Sequence, residues 1–266
     1  MTDSAGLATP PSYPESHNLL AGRVAAVTAA AGTGIGGATA RRCLEEGARV
    51  VLSDWHERRL NETADALSAE FGDAVAAVPC DVTDDGQVRE LIDATYRHFG
   101  RLDVMVNNAG LGGTANVVDM SDDEWGAVID ITLNGTFRCT RAALRRMAEQ
   151  EGGGVIVNNA SVIGWRAQAG QAHYAAAKAG VMALTRCTAV EAAEHGVRVN
   201  AVAPSLAMHA HLARVTSEEL LTDLTQREAF GRSAEPWEVA NVIVFLASGY
   251  ASYMTGEVVS VSSQRA

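Results

Sequence analysis

Apolar stretches with the length of β-strands alternate with helix-like stretches along most of this 266-residue chain. The strand-like stretches are apolar throughout, which is typical of strands that are buried on both faces. A helix between two such strands makes them run parallel, and the helices cover both faces of the sheet. The pattern predicts an α/β fold with a parallel sheet of about seven strands, at 23–28, 48–53, 74–80, 102–107, 155–158, 198–203 and 257–261.

Six helix-like stretches accompany these strands, and the fourth allows a break. They lie at 36–46, 57–71, 87–99, 121–150, 174–196 and 236–248. A hydrophobic content of 47% over this length suits one large domain with a substantial core. We expect that domain to span residues 19–266, because residues 1–18 are rich in proline, serine and threonine and are predicted to form a flexible arm.

Residues suited to ligand binding cluster at the predicted carboxyl ends of the strands. In doubly wound sheets, ligands bind beyond those ends, at the crevice where the strand order reverses. A binding site is therefore predicted along this edge, built from Thr28–Gly36, Asp54, Asp81, Asn107–Gly110, Ser161 and Pro204.

A glycine-rich turn follows the first predicted strand. Gly32, Gly34 and Gly37 fit the spacing G-x-G-x-x-G at the start of a helix. Glycines at these positions permit a tight turn and let backbone N–H groups approach a pyrophosphate at the helix N-terminus. Glycine-rich turns are common, so a plain turn is the alternative. The residues predicted to hold a dinucleotide here are Thr28, Gly32, Gly34, Ile35 and Gly36.

Asp54 ends the second predicted strand, 18 residues after Gly36. A carboxylate there can accept hydrogen bonds from the adenosine ribose hydroxyls and would repel a 2′-phosphate, which favours NAD over NADP. The alternative is a helix cap or a solvated turn residue. Arg58 and Arg59 lie nearby, on what looks like a solvated helix face, so NADP is not excluded.

The ends of the third and fourth predicted strands suit the same ligand. Asp81 and Val82 are placed to contact the adenine edge and face of a dinucleotide. Small residues let the chain pass close to a bound cofactor, and amide side chains can fix the backbone. The fourth strand ends with such a group, for which a plain turn is the alternative: Asn108, Ala109 and Gly110.

Tyr174 and Lys178 are four residues apart, so on a helix they lie on the same face. A free phenol titrates near ~10, about three units too high for a base near neutrality, and an adjacent cation narrows this gap. Ser161 lies thirteen residues before Tyr174 and can hold a carbonyl or alkoxide oxygen while the phenol moves its proton. A solvated tyrosine and lysine are the alternative for any helix with this spacing.

Charge and cysteine spacing exclude several classes of protein. The net charge of −11 argues against a nucleic-acid partner, because neutralising phosphates needs a basic face. No apolar run is long enough to span a membrane, and the N-terminus does not resemble a secretory signal. The four cysteines are scattered without a CxxC pair, which indicates free thiols rather than disulfides or a metal site. We therefore expect a cytoplasmic protein without a bound metal or a membrane partner.

Taken in order along the chain, these pieces resemble the short-chain dehydrogenase/reductase family. The matching segments extend from about residue 19 to 261 and are LLAGRVAAVTAAAGTGIG, CDVTD, GRLDVMVNNAG, GVRVNAVAPS, GRSAEPWEVANVIVFLAS and YMTGEV, with Ser161, Tyr174 and Lys178. The resemblance implies a single Rossmann-type domain, a nicotinamide cofactor and reversible oxidation of a secondary alcohol to a ketone. It also implies that Tyr174 is the acid–base residue, that Lys178 holds the nicotinamide ribose and lowers the pKa of the phenol, and that Ser161 binds the substrate oxygen.

The same resemblance implies the borders of the cofactor site and an assembly. Asn108, Ala109, Gly110 and Pro204 would border the cofactor. Homotetramers are common in the family and form through long helices, which correspond here to 121–150 and 174–196. A homo-oligomer is therefore expected, with a tetramer favoured.

Four departures from the family pattern affect the site. The glycine-rich turn is one residue longer than usual, and Ala29 replaces its first glycine. Thr132 aligns with an asparagine that supports a water contacting the lysine, a task that a threonine hydroxyl can also perform. Ser205 replaces a glycine after Pro204, and a nearby threonine is absent from LAMHAH. Near the C-terminus, residues 262–264 read Ser-Ser-Gln instead of Asp-Gly-Gly.

The substrate is expected between the loop 162–172 and the segment 205–232. The patterns AAAGTGIG, NNASVIGWRAQ and MALTRC together are similar to an actinobacterial branch of the family associated with steroid-ring breakdown. That branch oxidises a hydroxyl on a bicyclic indane-type carboxyl-CoA thioester, which implies a bulky ring-containing substrate. The residues considered for substrate contact are Trp165, Arg166, Met208 and His209, and each has a packing, interface or solvated alternative.

The leading hypothesis is an NAD-dependent enzyme that interconverts a secondary alcohol and a ketone. A 3-oxoacyl-type carbonyl reductase of the same family is one alternative, and an enzyme of the same fold with non-redox chemistry is another. A non-catalytic dinucleotide-binding regulator is the third, and loss of the tyrosine or the lysine would favour it. Both residues are present, at 174 and 178.

Overall fold

The computed structural model describes residues 8–208 and 218–263. Within them, seven strands form one parallel sheet: β1 (Val24–Val27), β2 (Arg49–Asp54), β3 (Val75–Pro79), β4 (Val104–Asn107), β5 (Gly154–Asn159), β6 (Val197–Pro204) and β7 (Val258–Val261). Their order is β3-β2-β1-β4-β5-β6-β7, and every neighbouring pair is parallel. The predicted doubly wound α/β domain with a seven-stranded parallel sheet is confirmed.

The described helices are α1 (Ile35–Glu45), α2 (Glu57–Phe71), α3 (Asp85–Phe99), α4 (Asp122–Ile129), α5 (Gly135–Met147), α6 (Ala172–Ala192), α7 (Glu218–Arg227) and α8 (Pro236–Ala247). One apolar core lies between the sheet and α1, α2 and α8. A second core lies on the opposite face, under α3, α5 and α6. None of the described helices is long and apolar enough to cross a membrane.

The strand order reverses between β1 and β4, which both leave the sheet at the same edge. The chain turns away in opposite directions after these two strands, so a crevice opens between their carboxyl ends. The turn from β1 into α1 and the loop after β4 form the sides of this crevice. The fold therefore brings together the glycine-rich turn and the Asn107–Gly110 segment.

The long helix predicted at 121–150 is divided into α4 and α5 by a π-helical turn, Asp130–Asn134. Ser121 begins α4 with a capping box, in which its hydroxyl accepts from the backbone N–H of Glu124 and the glutamate accepts from the backbone N–H of Ser121. A π turn widens the helix and often lies at a functional site. This one contains Thr132, whose side chain is fully buried.

Residues 13–18, which the sequence placed in a flexible arm, are held against the end of α1. The Glu46 carboxylate accepts backbone N–H bonds from residues 17 and 19, at 3.0 and 2.9 Å. The Arg42 guanidinium donates to the backbone carbonyls of residues 14 and 15. The Tyr13 ring packs edge-on against Trp237 of α8, with 5.3 Å between ring centres. This segment therefore bridges two helices of the first core.

Helix α7 lies inside the segment 205–232, for which the sequence reasoning predicted no helix. Only a few residues of its sequence indicate a helix. They are two glutamates at its first positions, Leu221 and Leu224 three residues apart, and Arg227 in the last turn. Acidic residues at the start and basic residues at the end of a helix stabilise it through the helix dipole. A ten-residue helix carries too little periodicity to stand out from a loop.

Candidate active site

The fold brings Ser161, Tyr174 and Lys178 together at the carboxyl edge of the sheet. Ser161 follows β5, and the other two residues lie on the first two turns of α6. The Lys178 Nζ lies 5.5 Å from the centre of the Tyr174 ring, and the serine and tyrosine side chains are hydrogen-bonded. Lys178 and Ser161 are buried, while the tyrosine is partly exposed to the crevice. This arrangement can hold an oxygen atom against a phenol and a hydroxyl at the same time.

Burial determines the protonation of the two helix residues. It raises the pKa of Tyr174, and the hydrogen bond with Ser161 acts in the opposite direction. Burial lowers the pKa of Lys178 to about 8. At neutral pH the phenol therefore holds its proton, and the lysine carries its charge until the pH rises through about 8. A protonated phenol beside a cation is suited to donate a proton to a carbonyl oxygen.

Thr132 fixes the chain directly after β4. Its Oγ1 accepts from the backbone N–H of Leu111 at 3.0 Å and donates to the carbonyl of the same residue at 3.2 Å. A Cβ added to Gly110 would lie 3.7 Å from this oxygen and 3.5 Å from the Lys178 Nζ. The threonine hydroxyl is thus engaged on both sides by one residue, and it holds the backbone that passes the lysine.

Replacing Thr132 with valine is expected to lower both the free energy of unfolding and kcat. Valine has the same shape but removes both hydrogen bonds to Leu111, each of which contributes about 0.5–1.5 kcal/mol. Thr132→Ser keeps the hydroxyl and serves as the control. Urea denaturation and initial rates of both variants check this, and equal stability of the two would contradict it.

The turn between β1 and α1 presents backbone donors to the crevice. Gly34 precedes α1 in an extended conformation, and no side chain caps the first N–H groups of the helix. Uncapped N–H groups at a helix start, with the positive end of its dipole, bind phosphate groups. Gly32, with a φ of +85°, is held by a hydrogen bond from its N–H to Thr63 Oγ1 at 2.9 Å. Ala29, which replaces a family glycine, adopts a left-handed φ of +49°.

Two glycines on the first turn of α1 have no room for a side chain. A Cβ on Gly36 would overlap the carbonyl oxygen of Ala29 and lie 2.5 Å from Asn108 Nδ2. A Cβ on Gly37 would overlap the carbonyl oxygen of Gly32. These contacts keep the turn tight while its donors face outward, so the residues present fit the pyrophosphate of a dinucleotide.

Gly36→Ala is expected to weaken dinucleotide binding at least tenfold, because the new methyl group pushes the turn away from α1 and moves the phosphate-binding N–H groups. Gly126→Ala on α4 is the matched control, since a Cβ there meets nothing within 4 Å. Fluorescence titration with NADH measures both dissociation constants. Unchanged affinity in the Gly36 variant would contradict the assignment of this turn.

The Asp54 carboxylate lies at the end of β2, beside the glycine-rich turn at 28–36, which is called the cradle below. Its Oδ2 accepts from the backbone N–H of Ala31 at 3.3 Å, and its Oδ1 from that of His56 at 2.9 Å. Each carboxylate oxygen has two lone pairs, so the group retains acceptors for a ribose hydroxyl. Asp81, by contrast, is engaged in a local turn through the N–H and hydroxyl of Thr83. Val82 beside it is buried.

A hydrogen-bond network connects the cradle with the loop after β4. The Oγ1 of Thr28 accepts from the backbone N–H groups of Asn108 and Ala109, at 2.9 and 3.1 Å. The Nδ2 of Asn108 donates to the carbonyl oxygens of Thr28 and Ala29, both at 3.2 Å. Its Oδ1 accepts from Asn159 Nδ2 at 2.8 Å. Pro204, also predicted to border the cofactor, is buried at the end of β6.

The predicted site residues did not include Asn159, although a signal exists for it. Side chains alternate between the two faces of a strand, so Asn158 and Asn159 at the end of β5 must point to opposite faces. Asn158 donates to Thr185 of α6. Its neighbour therefore turns to the face that carries the glycine-rich turn.

Of the four predicted substrate residues, two are exposed, one is half-buried and one lies outside the described residues. Trp165 is 49% exposed after a short 3₁₀ turn, and Arg166 beside it is exposed. Met208 is half-buried, and its N–H donates to the carbonyl of Ala234 at 3.1 Å. His209 lies outside the described residues.

A second loop, residues 111–115, lies against the start of α6. The sequence did not predict that this loop belongs to the site. Gln171 donates from its side chain to the carbonyl of Gly113 at 2.6 Å. The N–H of Ala115 donates to the carbonyl of Gly170 at 3.0 Å. Among the residues that the structure describes, no group of three or more His, Cys, Asp or Glu side chains is placed to hold a metal ion.

Comparison with known proteins places this site in context. A family model described as Enoyl-(Acyl carrier protein) reductase matches residues 29–263. The (5R,7aS)-5-hydroxy-7a-methyl-1-oxo-2,3,5,6,7,7a-hexahydro-1H-indene-carboxyl-CoA reductase of Mycobacterium tuberculosis is 64% identical over 258 residues, which are 97% of this chain and 98% of the relative. The 3-oxoacyl-[acyl-carrier-protein] reductase FabG of Thermotoga maritima is 38% identical over 242 residues, 91% of this chain and 97% of the relative. A crystal structure of a short chain dehydrogenase from Mycobacterium smegmatis has a TM-score of 0.87 and 60% identity, and the match covers 98% of this chain and 100% of that chain.

Proposed function

The chain belongs to the short-chain dehydrogenase/reductase family, and from that premise we propose that it is an NAD-dependent enzyme that interconverts a ketone and a secondary alcohol on a ring-containing CoA thioester. The observation that carries the chemistry is the meeting of Ser161, Tyr174 and Lys178 beside the glycine-rich turn. An oxidoreductase acting on a CH–OH group is the class to which the relatives belong.

The proposed mechanism uses the protonated phenol as a general acid. In the reducing direction, Tyr174 donates its proton to the ketone oxygen, and in the oxidising direction it takes that proton back. The Ser161 hydroxyl donates a hydrogen bond to the same oxygen and stabilises its developing charge. The Lys178 cation lies close enough to stabilise the phenolate that remains. A nicotinamide dinucleotide supplies hydride-transfer chemistry when bound, and the turn at 28–36 would hold its pyrophosphate.

Asp54 supports NAD rather than NADP as the cofactor. Its carboxylate is 7% exposed and is positioned by two backbone N–H groups beside the cradle. A 2′-phosphate at this position would meet a fixed negative charge, whereas ribose hydroxyls would find an acceptor. NADH is therefore expected to bind more tightly than NADPH, and Asp54→Asn to reduce the difference.

The substrate class is supported by the M. tuberculosis relative, whose name describes a reductase acting on a bicyclic indene-carboxyl-CoA. Apolar side chains are exposed on two loops that follow strands at the carboxyl edge of the sheet. On the loop after β4, Val117 is 72% exposed and Val118 is 91% exposed, and the Trp165 indole is half exposed across the loop at 162–172. Apolar side chains exposed near a ligand site are available to cover a fused ring.

A 3-oxoacyl-carrier-protein reductase is the second candidate. It is favoured by the FabG relative. The two candidates share the acid–base chemistry and differ only in the carbon skeleton that the crevice accepts.

Initial rates separate the candidates. A bicyclic oxo-indane carboxyl-CoA ester and a 3-oxoacyl-CoA are offered in parallel, each with NADH and with NADPH, and consumption of the reduced dinucleotide is followed by absorbance. The proposal expects the highest kcat/KM for the bicyclic ester with NADH. A preference for the open-chain ester would favour the second candidate, and no turnover of any ketone would contradict both.

A further inference from the structure

The ammonium of Lys178 depends on the end of β5. Its Nζ donates to the backbone carbonyl of Asn159 at 2.6 Å, the one hydrogen bond it makes within the described part of the chain. The Thr132 hydroxyl forms its two hydrogen bonds with Leu111 and none with the lysine. The carbonyl of Asn159 is therefore the group that orients the lysine.

The carbonyl that receives the lysine belongs to a residue whose side chain is itself fixed. Asn159 Nδ2 donates to Asn108 Oδ1 at 2.8 Å, and Asn108 Nδ2 donates to the carbonyl oxygens of Thr28 and Ala29 in the cradle. A continuous path of hydrogen bonds thus leads from the glycine-rich turn to Lys178. The Oδ1 of Asn159 is buried without a hydrogen-bond partner among the described residues, so only the Nδ2 end of this amide is bonded.

We propose that Asn159 is a positioning residue, which holds Lys178 through its own backbone carbonyl and is itself held by the side chain of Asn108. The amide ties the catalytic cation to the same loop that anchors the dinucleotide cradle. This inference rests on the proposed function, because the position of Lys178 affects activity only if the lysine takes part in a dinucleotide-dependent reaction. It adds a residue to the site that acts through Lys178 rather than on the substrate.

A positioning role and a purely structural role lead to different results in two variants. Asn159→Val removes the bond to Asn108, so that only the pairing of β5 with β6 at Val202 still directs the carbonyl toward the ammonium. Asn159→Asp has the same shape, loses the donor and places a carboxylate beside the lysine. If the residue only supports the fold, Asn159→Val lowers stability and leaves the titration of Lys178 unchanged.

The test is the dissociation constant of NADH, measured by fluorescence across pH 6.5 to 10 in the parent and in both variants. In the parent, affinity is expected to fall as Lys178 loses its charge, with a midpoint near its pKa of about 8. In Asn159→Val the midpoint is expected about one pH unit lower, because the charged form loses an acceptor. In Asn159→Asp it is expected about one unit higher, because an opposite charge favours the ammonium.

Asn200→Asp in β6 is the matched control. Its amide also joins two backbone groups, donating to the carbonyl of Met254 at 2.8 Å and accepting from the N–H of Glu257 at 3.0 Å. This variant is expected to lower Tm and keep the parent midpoint. Equal midpoints in the parent and Asn159→Val would overturn the inference while the proposed function stands. Failure of the parent to bind NADH or NADPH at any pH would overturn the proposed function, and the inference with it.

Discussion

Tyr174→Phe is expected to lower kcat by about 10²–10⁴-fold, the contribution typical of one positioned acid–base group. The substitution removes a single oxygen, and the ring that packs 5.5 Å from the Lys178 ammonium remains. The cradle for the pyrophosphate is built from other residues and is unchanged. Steady-state rates with the best ketone should therefore fall, while the dissociation constant of NADH measured by fluorescence stays close to that of the parent.

The control for this variant is Tyr250→Phe, in which the same atom is removed from a tyrosine that is 75% exposed and remote from the crevice. Its kcat and its NADH affinity should both match the parent. Turnover that survives in the Tyr174 variant would contradict the mechanism. Loss of NADH binding together with turnover would instead assign the phenol to the cofactor site.

Glu46→Ala is expected to lower the free energy of unfolding by about 3 kcal/mol or more, because hydrogen bonds to a charged group contribute about 1.5–3 kcal/mol each and two backbone N–H groups lose theirs. The Glu46 side chain is fully buried, and its Oε1 lies 2.6 Å from the Arg42 guanidinium, which is itself almost completely buried. The same carboxylate accepts two backbone N–H groups of the N-terminal segment. Its removal leaves two backbone N–H groups without their acceptor and takes one of two carboxylates from the Arg42 guanidinium, which keeps Glu45 at 3.2 Å.

Denaturant-induced unfolding of the parent and the variant measures this difference. The dependence of the free energy of unfolding on denaturant concentration should be the same for both proteins. Glu70→Ala is the control, because Glu70 pairs with Arg41 at 2.8 Å on the surface, where solvent screens the pair. That variant should unfold close to the parent midpoint. Similar losses in the two variants would contradict the importance of burial for the Glu46 pair.

Most strands and helices of the fold can be predicted from the sequence, because each has a local pattern of apolar and polar residues. All seven strands were predicted within a few residues, since a strand buried on both faces is a continuous apolar run. The break in the predicted 121–150 helix was allowed for, but its π geometry depends on tertiary contacts such as the bond between Thr132 and Leu111. Helix α7 is not predicted by the sequence, because its ten residues form fewer than three helical turns and the apolar pattern repeats too few times to be recognised.

The residues of the N-terminal segment show a different limit. Their composition, rich in proline and serine, is that of a flexible arm, and residues 1–18 were predicted as one. Residues 13–18 are instead held by Arg42 and Glu46 of the α1 region. A pair four residues apart on a helix is more often solvent-exposed, so the sequence offered no sign that this one is buried and binds a distant segment.

The sequence by itself was enough to predict the fold class, and it singled out the glycine-rich turn, Asp54 and the Ser161, Tyr174 and Lys178 set, because each depends on residue type and spacing over a short stretch. Only the tertiary structure decided which groups the lysine and the threonine contact. Lys178 reaches the carbonyl of Asn159, and Thr132 is engaged by Leu111. Backbone carbonyls and N–H groups are present at nearly every residue, so no sequence pattern distinguishes the one that a side chain meets. That choice follows from the parallel order of the strands, which brings the ends of β1, β4 and β5 to the same edge.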